Sequence, residues 1–130
     1  MPVFGSNSKR ILQGVHPDIV LVLNEVIPYF DFTVISGHRG ELEQTQIFNA
    51  GNSKTPWPQS RHNASPSDAV DIAPYPVDWE YIERFIYLAG HIMAAARRFG
   101  VQLRWGGDWS MNNMRTKHAF KDWGHFELKR

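Results

Sequence analysis

Apolar side chains recur with the spacing of one helix face in two parts of the chain. Residues 17–26 begin with a proline and carry an acid in the first turn, as helix starts often do. Residues 79–99 carry a long apolar stripe, with Asp78 as the predicted cap and Gly100 at the C-terminal end. Residues 41–50 are predicted to form a shorter helix that ends before a glycine.

Short β-branched and aromatic runs, bounded by turn residues, lie between the predicted helices. Because these runs do not alternate regularly with helices, we predict an α+β fold in which a small antiparallel sheet is flanked by helices. Residues 51–68 form a polar loop that is long for a compact domain, and such loops are often functional. The predicted strands are residues 32–35, 70–73, 101–105 and 123–128.

The length and composition of the chain limit which kinds of protein and which kinds of metal site are possible. The length of 130 residues predicts one domain, and 42% apolar residues are enough for an ordinary core. The net charge of +1 gives no electrostatic reason to expect a nucleic-acid partner. We expect neither a signal peptide nor a membrane span, because no apolar run is long enough for either. The chain has no cysteine, so any metal must be bound by histidine, a carboxylate or water.

Two histidines and one aspartate are candidate zinc ligands. Asp71 lies between Val70 and Ile72 in a predicted strand, where a carboxylate is costly to bury without a partner. His62 belongs to the polar loop, which can fold back over that strand, and His125 belongs to the last strand. A catalytic zinc ion needs three protein ligands and a position for water, whose pKa it lowers toward about 7. The alternative is that both histidines are ordinary polar residues and Asp71 caps a turn.

A hydrolytic zinc site also needs a base and groups that bind the substrate. Asp122, three residues before His125, is the predicted base, and its alternative is a helix-end or surface acid. Arg39 follows a predicted strand and can bind a carboxylate or the charge that develops on a carbonyl oxygen, unless it is a surface residue in a turn. Gln44 and Ser60 are predicted to face the same cleft.

A tryptophan-rich segment is predicted to form a wall of the cleft. Trp105, Asp108 and Trp109 are candidate substrate contacts, although tryptophan is also common in cores. The intervening glycines, 106–107, would let the backbone approach a peptide ligand closely.

Two further polar residues lie near the end of the chain. Glu127 shares a strand face with His125, where it either orients that ring or simply faces solvent. His118 precedes the predicted base and is expected to line the cleft. His91, on the apolar helix, is expected to pack in or near the core.

The motifs S-x-H, A-V-D and D-x-x-H-F-E together resemble the LAS family of zinc peptidases, and most closely the L-alanyl-D-glutamate endopeptidases of phage endolysins. The resemblance covers nearly the whole chain, from GVHPD through SGHRGELEQ, NSKT, SRH, AVDIAPY and WGGDW to HFEL. It implies the LAS and hedgehog-like zinc peptidase fold. It also implies zinc ligation by His62, Asp71 and His125, base catalysis by Asp122, and substrate or transition-state contacts from Arg39, Gln44 and Ser60.

The sequence departs from the family pattern at two points. The interval from His62 to Asp71 is two residues longer than in many members, and we expect the extra residues around Pro66 to bulge without moving the ligands. The base is Asp122, where the dipeptidases of the family have glutamate. The shorter acid fits the endopeptidase branch better.

The resemblance implies a peptidoglycan hydrolase that cuts the stem peptide, between L-alanine and D-glutamate, using one zinc ion per chain. We expect residues 1–130 to form a single catalytic domain without a separate wall-binding domain, and to act as a monomer. The implied setting is an endolysin held in the host cytoplasm until a holin releases it. Two alternatives remain: a D-alanyl-D-alanine carboxypeptidase or dipeptidase, and a zinc-containing binding module without catalysis, against which Asp122 argues.

Overall fold

Four antiparallel strands form the centre of the fold in the computed structural model, which describes residues 1–114 and 122–129. The strands are β1 (Phe32–Ser36), β2 (Ala69–Pro74), β3 (Leu103–Trp105) and β4 (His125–Leu128). Their order across the sheet is β1-β2-β4-β3. The helices are α1 (Ser6–Leu12), α2 (Pro17–Val26), α3 (Glu41–Asn49) and α4 (Ile82–Phe99), with a 3-10 helix at Arg61–Asn63. The predicted α+β fold with an antiparallel sheet flanked by helices is confirmed.

One face of the sheet carries the core, and the other carries polar side chains. Val70 and Ile72 of β2 and Phe126 of β4 are buried against the helices. Because side chains alternate across a strand, Asp71 and His125 point away from that core. Helices α2 and α4 contribute apolar side chains to this core, and their fully buried residues include Ile19, Val22, Leu23, Leu88 and Ile92.

The helix boundaries follow the predictions closely, with two differences. Helix α4 begins at Ile82 rather than at residue 79, because the Asp78 carboxylate accepts the N–H of Glu80 at 3.1 Å and holds a turn before the helix. The prediction that Asp78 caps α4 is therefore wrong. Helix α1 was not predicted, and Ser8 ties it to β1 by accepting the N–H of Val34 at 3.0 Å. No described helix has the length and apolarity needed to cross a membrane.

Candidate active site

The predicted zinc ligands converge on the polar face of the sheet. Asp71 and His125 are directly opposite each other in the register of β2 and β4. Nδ1 of His125 lies 2.9 Å from Oδ1 of Asp71, and Nε2 of His62 lies 3.3 Å from Oδ2. One candidate ligand atom from each of the three residues lies within 4.8 Å of the other two. This spacing suits three ligands around one metal ion.

The ring of His62 is oriented so that one nitrogen is left for a metal. Its Nδ1 lies 2.7 Å from the carbonyl oxygen of Gly37, and since a carbonyl can only accept, Nδ1 carries the proton. Nε2 is then an acceptor, and it is buried without a hydrogen-bond partner among the described residues. An unsatisfied buried nitrogen is unfavourable, and a cation at this position would satisfy it.

Glu127 orients the ring of His125 in the same way. Its Oε1 lies 2.9 Å from Nε2 of His125, and its Oε2 accepts from Nη2 of Arg104 at 2.7 Å. Burial raises the pKa of the Glu127 carboxyl, but the hydrogen bonds from His125 and Arg104 outweigh burial and lower it to about 2. The ionised carboxylate therefore keeps the proton of His125 on Nε2 and directs Nδ1 toward Asp71.

The carboxylates of Asp71 and Glu127 favour a positive charge at His125. Burial disfavours the ionised form of His125 and of Asp71, yet their mutual contacts prevail. The pKa of His125 rises to about 10 through Asp71 and Glu127, and the pKa of Asp71 is held well below its usual range by the hydrogen bond from His125. Without a metal, a proton on Nδ1 supplies the positive charge. A divalent cation bound by the two imidazoles and the carboxylate would replace that proton.

Asp122 lies beside the ligands. Its Oδ2 is 3.9 Å from Nδ1 of His125, and its backbone is tied to Gly106, whose carbonyl accepts the Asp122 N–H at 3.3 Å. Burial and the nearby Asp71 carboxylate raise the pKa of Asp122, against the opposing effect of the histidines and Arg39. A carboxyl group with a raised pKa is better matched to exchanging protons near neutral pH.

A cavity of about 310 Å³ opens over the three candidate ligands and Asp122. Of the predicted substrate contacts, Arg39, Ser60 and Trp109 line it. Arg39 is almost buried, and its backbone N–H donates to the carbonyl of His62 at 2.8 Å. The ring of Trp109 lies 5.6 Å from that of His125, centroid to centroid.

Gln44 does not reach the cavity, contrary to the prediction. Its side chain is fully buried, and its amide nitrogen donates to the carbonyl of Thr55 at 2.7 Å and to Ser53 Oγ at 3.1 Å. Its amide oxygen accepts from Nδ2 of Asn63 at 3.2 Å. Gln44 therefore holds the polar loop against α3 and supports the wall of the cavity from behind.

Trp105 and Asp108 also lie away from the cavity over the ligands. Trp105 packs against the core and donates from Nε1 to the carbonyl of Trp123 at 2.7 Å. The Asp108 carboxylate accepts backbone N–H groups of residues 112–113 and shapes a turn. Both residues instead line a separate groove beside α4.

The glycines between Trp105 and Asp108 serve the protein's own packing rather than a peptide ligand. A Cβ on Gly106 would overlap the carbonyl of Asp122, and one on Gly107 would overlap the Trp105 ring. The predicted cleft wall is therefore reduced to Trp109.

The longer interval between His62 and Asp71 forms an exposed loop at residues 64–66, and hydrogen bonds fix the chain where this loop ends. Asp68 donates its N–H to the carbonyl of Arg61 at 3.0 Å, and Ser67 donates to the carbonyl of Gly14 at 2.8 Å. Pro66 lies at the exposed tip. These bonds hold the two ends of the longer interval together, and the candidate ligand atoms lie within 4.8 Å of one another, as expected if the extra residues bulge outward.

Sequence reasoning missed several side chains of the cavity wall. The polar loop was expected to be functional, but only its histidine and Ser60 were singled out. Its length and polarity were the available signal. His118, expected to line the cleft, lies outside the described residues. The missed wall residues are Asn52, Ser53, Lys54, Thr55, Gln59 and Arg61.

Comparison with known proteins assigns the chain to a family. The family model for the phage L-alanyl-D-glutamate peptidase matches residues 2–129. Among the solved structures, the chain is similar to the L-Ala D-Glu endopeptidase ChiX of Serratia marcescens, with a TM-score of 0.77 and 34% identity. That match covers 97% of this chain and 89% of the other. No curated protein matched in the corresponding search.

Proposed function

This chain belongs to the phage L-alanyl-D-glutamate peptidase family, and we propose that it works as a zinc-dependent endolysin. It is a peptidoglycan endopeptidase that cleaves the bond between L-alanine and D-glutamate of the stem peptide. The observation that carries the zinc proposal is the convergence of His62, Asp71 and His125, with the acceptor nitrogen of His62 buried and unsatisfied.

His62 Nε2, the Asp71 carboxylate and His125 Nδ1 would hold the zinc ion. When bound there, zinc supplies Lewis-acid chemistry that makes a water molecule more acidic and polarises a carbonyl group. Gly37 and Glu127 fix the proton-bearing nitrogens of the two histidines, so both acceptor nitrogens are preset for the metal.

Asp122 is the proposed general base. Its carboxylate accepts a proton from the attacking water at Oδ2 and then passes a proton to the nitrogen of D-glutamate as the amide bond breaks. Its raised pKa favours this exchange, because a carboxylate with a very low pKa would be too weak a base.

Arg39 is the proposed stabiliser of the charge that develops on the L-alanine carbonyl oxygen. It lines the cavity, and its Nε is buried without a hydrogen-bond partner among the described residues. A buried guanidinium donor directed at developing negative charge is worth more than an exposed one, because water competes less.

Digestion of defined stem peptides tests this function. The zinc-loaded protein should convert an N-acylated L-Ala-γ-D-Glu-L-Lys-D-Ala-D-Ala peptide into acyl-L-alanine and a tetrapeptide that begins with D-glutamate, as identified by mass spectrometry. Release of D-alanine instead would overturn the endopeptidase assignment in favour of a carboxypeptidase. A phage setting with release by a holin is proposed from the family, as is action as a monomer, which sedimentation would test.

A further inference from the structure

Arg61 lines the cavity beside the candidate metal ligands, and neither the proposed proton transfer nor the proposed stabilisation of the carbonyl oxygen uses it. It directly precedes His62, and its carbonyl accepts the Asp68 N–H at 3.0 Å, so its backbone is fixed on the floor of the polar loop. Its side chain is one-third exposed, at 34%, which leaves the guanidinium accessible from the cavity.

The carboxylate nearest to the Arg61 guanidinium, that of Glu127, already has hydrogen bonds from two other side chains. Nε of Arg61 lies 3.7 Å from Oε2 of Glu127, which is longer than a hydrogen bond. Glu127 accepts from Arg104 at 2.7 Å and from His125 at 2.9 Å. Glu127 therefore does not need Arg61 for its charge balance, and the guanidinium of Arg61 is available for a second carboxylate.

The substrate offers such a carboxylate close to the reacting bond. In the stem peptide D-glutamate continues through its γ-carboxyl group, so its α-carboxylate is free and is attached to the carbon that bears the leaving nitrogen. Arg61 lines the same cavity as Asp71 and Asp122, so a substrate bound over these two residues comes within reach of its guanidinium. The exposed Lys54 also lines the cavity, but a planar guanidinium suits paired bonds to a carboxylate better than a flexible ammonium.

We propose that Arg61 binds the α-carboxylate of D-glutamate and makes the enzyme selective for stem peptides with free D-glutamate over those with D-isoglutamine. This inference rests on the proposed function. Arg61 would then be the side chain that distinguishes peptidoglycan with a free D-glutamate carboxylate from peptidoglycan in which this group is amidated. In D-isoglutamine an uncharged amide replaces the carboxylate. Its NH₂ group stands where a second carboxylate oxygen would accept a hydrogen bond, and a guanidinium cannot accept a hydrogen bond from it.

Two peptides that differ only in this group test the proposal. The zinc-loaded wild type should cleave acyl-L-Ala-γ-D-Glu-L-Lys with a kcat/KM about 10-fold or more above that for the D-isoglutamine peptide. Arg61→Gln should lower kcat/KM for the acidic peptide mainly through KM and bring the ratio close to one. Arg61→Lys should retain part of the preference, because lysine keeps the positive charge but lacks the paired N–H donors of the guanidinium.

Controls separate failure of the inference from failure of the function. Arg98→Gln removes an exposed surface guanidinium, 59% accessible, and should leave both rates unchanged. Equal cleavage of the two peptides by the wild type would overturn the inference while leaving the peptidase function intact. A preference that survives in Arg61→Gln but disappears in Lys54→Gln would also overturn it. If neither peptide is cut, the proposed function fails and the inference fails with it.

Discussion

Oε1 of Glu127 lies 2.9 Å from Nε2 of His125, two positions earlier on the same face of β4. The bond decides which nitrogen of His125 is available as a ligand, because the carboxylate can only accept and so keeps the proton on Nε2. Arg104 holds the other carboxylate oxygen at 2.7 Å and keeps Glu127 ionised. Binding of the proposed zinc ion would therefore depend on Glu127, which is not itself among the candidate ligands.

Glu127→Ala should weaken zinc binding by about 10- to 100-fold, because the His125 ring loses the acceptor that fixes its tautomer and orientation. Competition with a chromophoric zinc chelator measures this affinity directly. Glu83→Ala, an exposed change in the first turn of α4, is the matched control and should leave the affinity unchanged. Wild-type affinity in Glu127→Ala would show that Glu127 does not orient the ligand.

Asp122→Asn should lower kcat by about 10²- to 10⁴-fold while keeping one zinc per chain, since the amide cannot accept the proton of the attacking water. Peptide cleavage assays and elemental analysis give the two readouts. Asp78→Asn, in an exposed turn, serves as the control with normal turnover. If Asp122→Asn lyses cell walls as fast as the wild type, another group must be the base.

The sequence was sufficient to predict the sheet and the main helices, because these follow local patterns, and it also predicted that His62, Asp71 and His125 converge. Alternation in β2 placed Val70 and Ile72 in the core and Asp71 on the opposite face. Residues far apart in the chain then met through the register that pairs Asp71 with His125.

The sequence was insufficient where a side chain's partners come from distant loops. Gln44 has the chemistry of a substrate contact, yet its amide is used by residues 53, 55 and 63 of the polar loop. Asp108 has the same ambiguity and is used by a local turn. Helix α1 is short and lacks a strong apolar period, so its contact with β1 through Ser8 decided its position rather than its own propensity.

Removing zinc should abolish peptide cleavage and lower the melting temperature, and adding zinc should restore both. Binding to the folded state alone stabilises it by about 2.7 kcal/mol when free zinc is 100 times the Kd. Thermal unfolding with and without chelator measures the effect. His62→Ala should show neither the zinc-dependent rise in melting temperature nor bound metal, and retention of zinc at full occupancy would remove His62 from the ligand set.

Gln44→Ala should destabilise the fold by about 1–3 kcal/mol, because the buried Asn63 amide and two partly buried groups of the polar loop each lose a hydrogen bond. Urea unfolding measures the free energy. Gln46→Ala on the exposed face of the same helix is the control and should change it by less than about 0.5 kcal/mol. An increase in KM without any loss of stability would instead support the earlier hypothesis that Gln44 contacts the substrate.

Gly106→Ala should reduce both stability and kcat, because the added methyl group would overlap the carbonyl of Asp122 and move the proposed base. Displacing Asp122 should impair proton transfer more than zinc binding, because Asp122 is not one of the candidate ligands. Zinc content should therefore fall less than kcat. Gly90→Ala is the matched control, since its Cβ meets open space within α4, where alanine stabilises a helix by about 1 kcal/mol over glycine. Equal turnover in Gly106→Ala and the wild type would mean that the contact between Gly106 and Asp122 does not position the base.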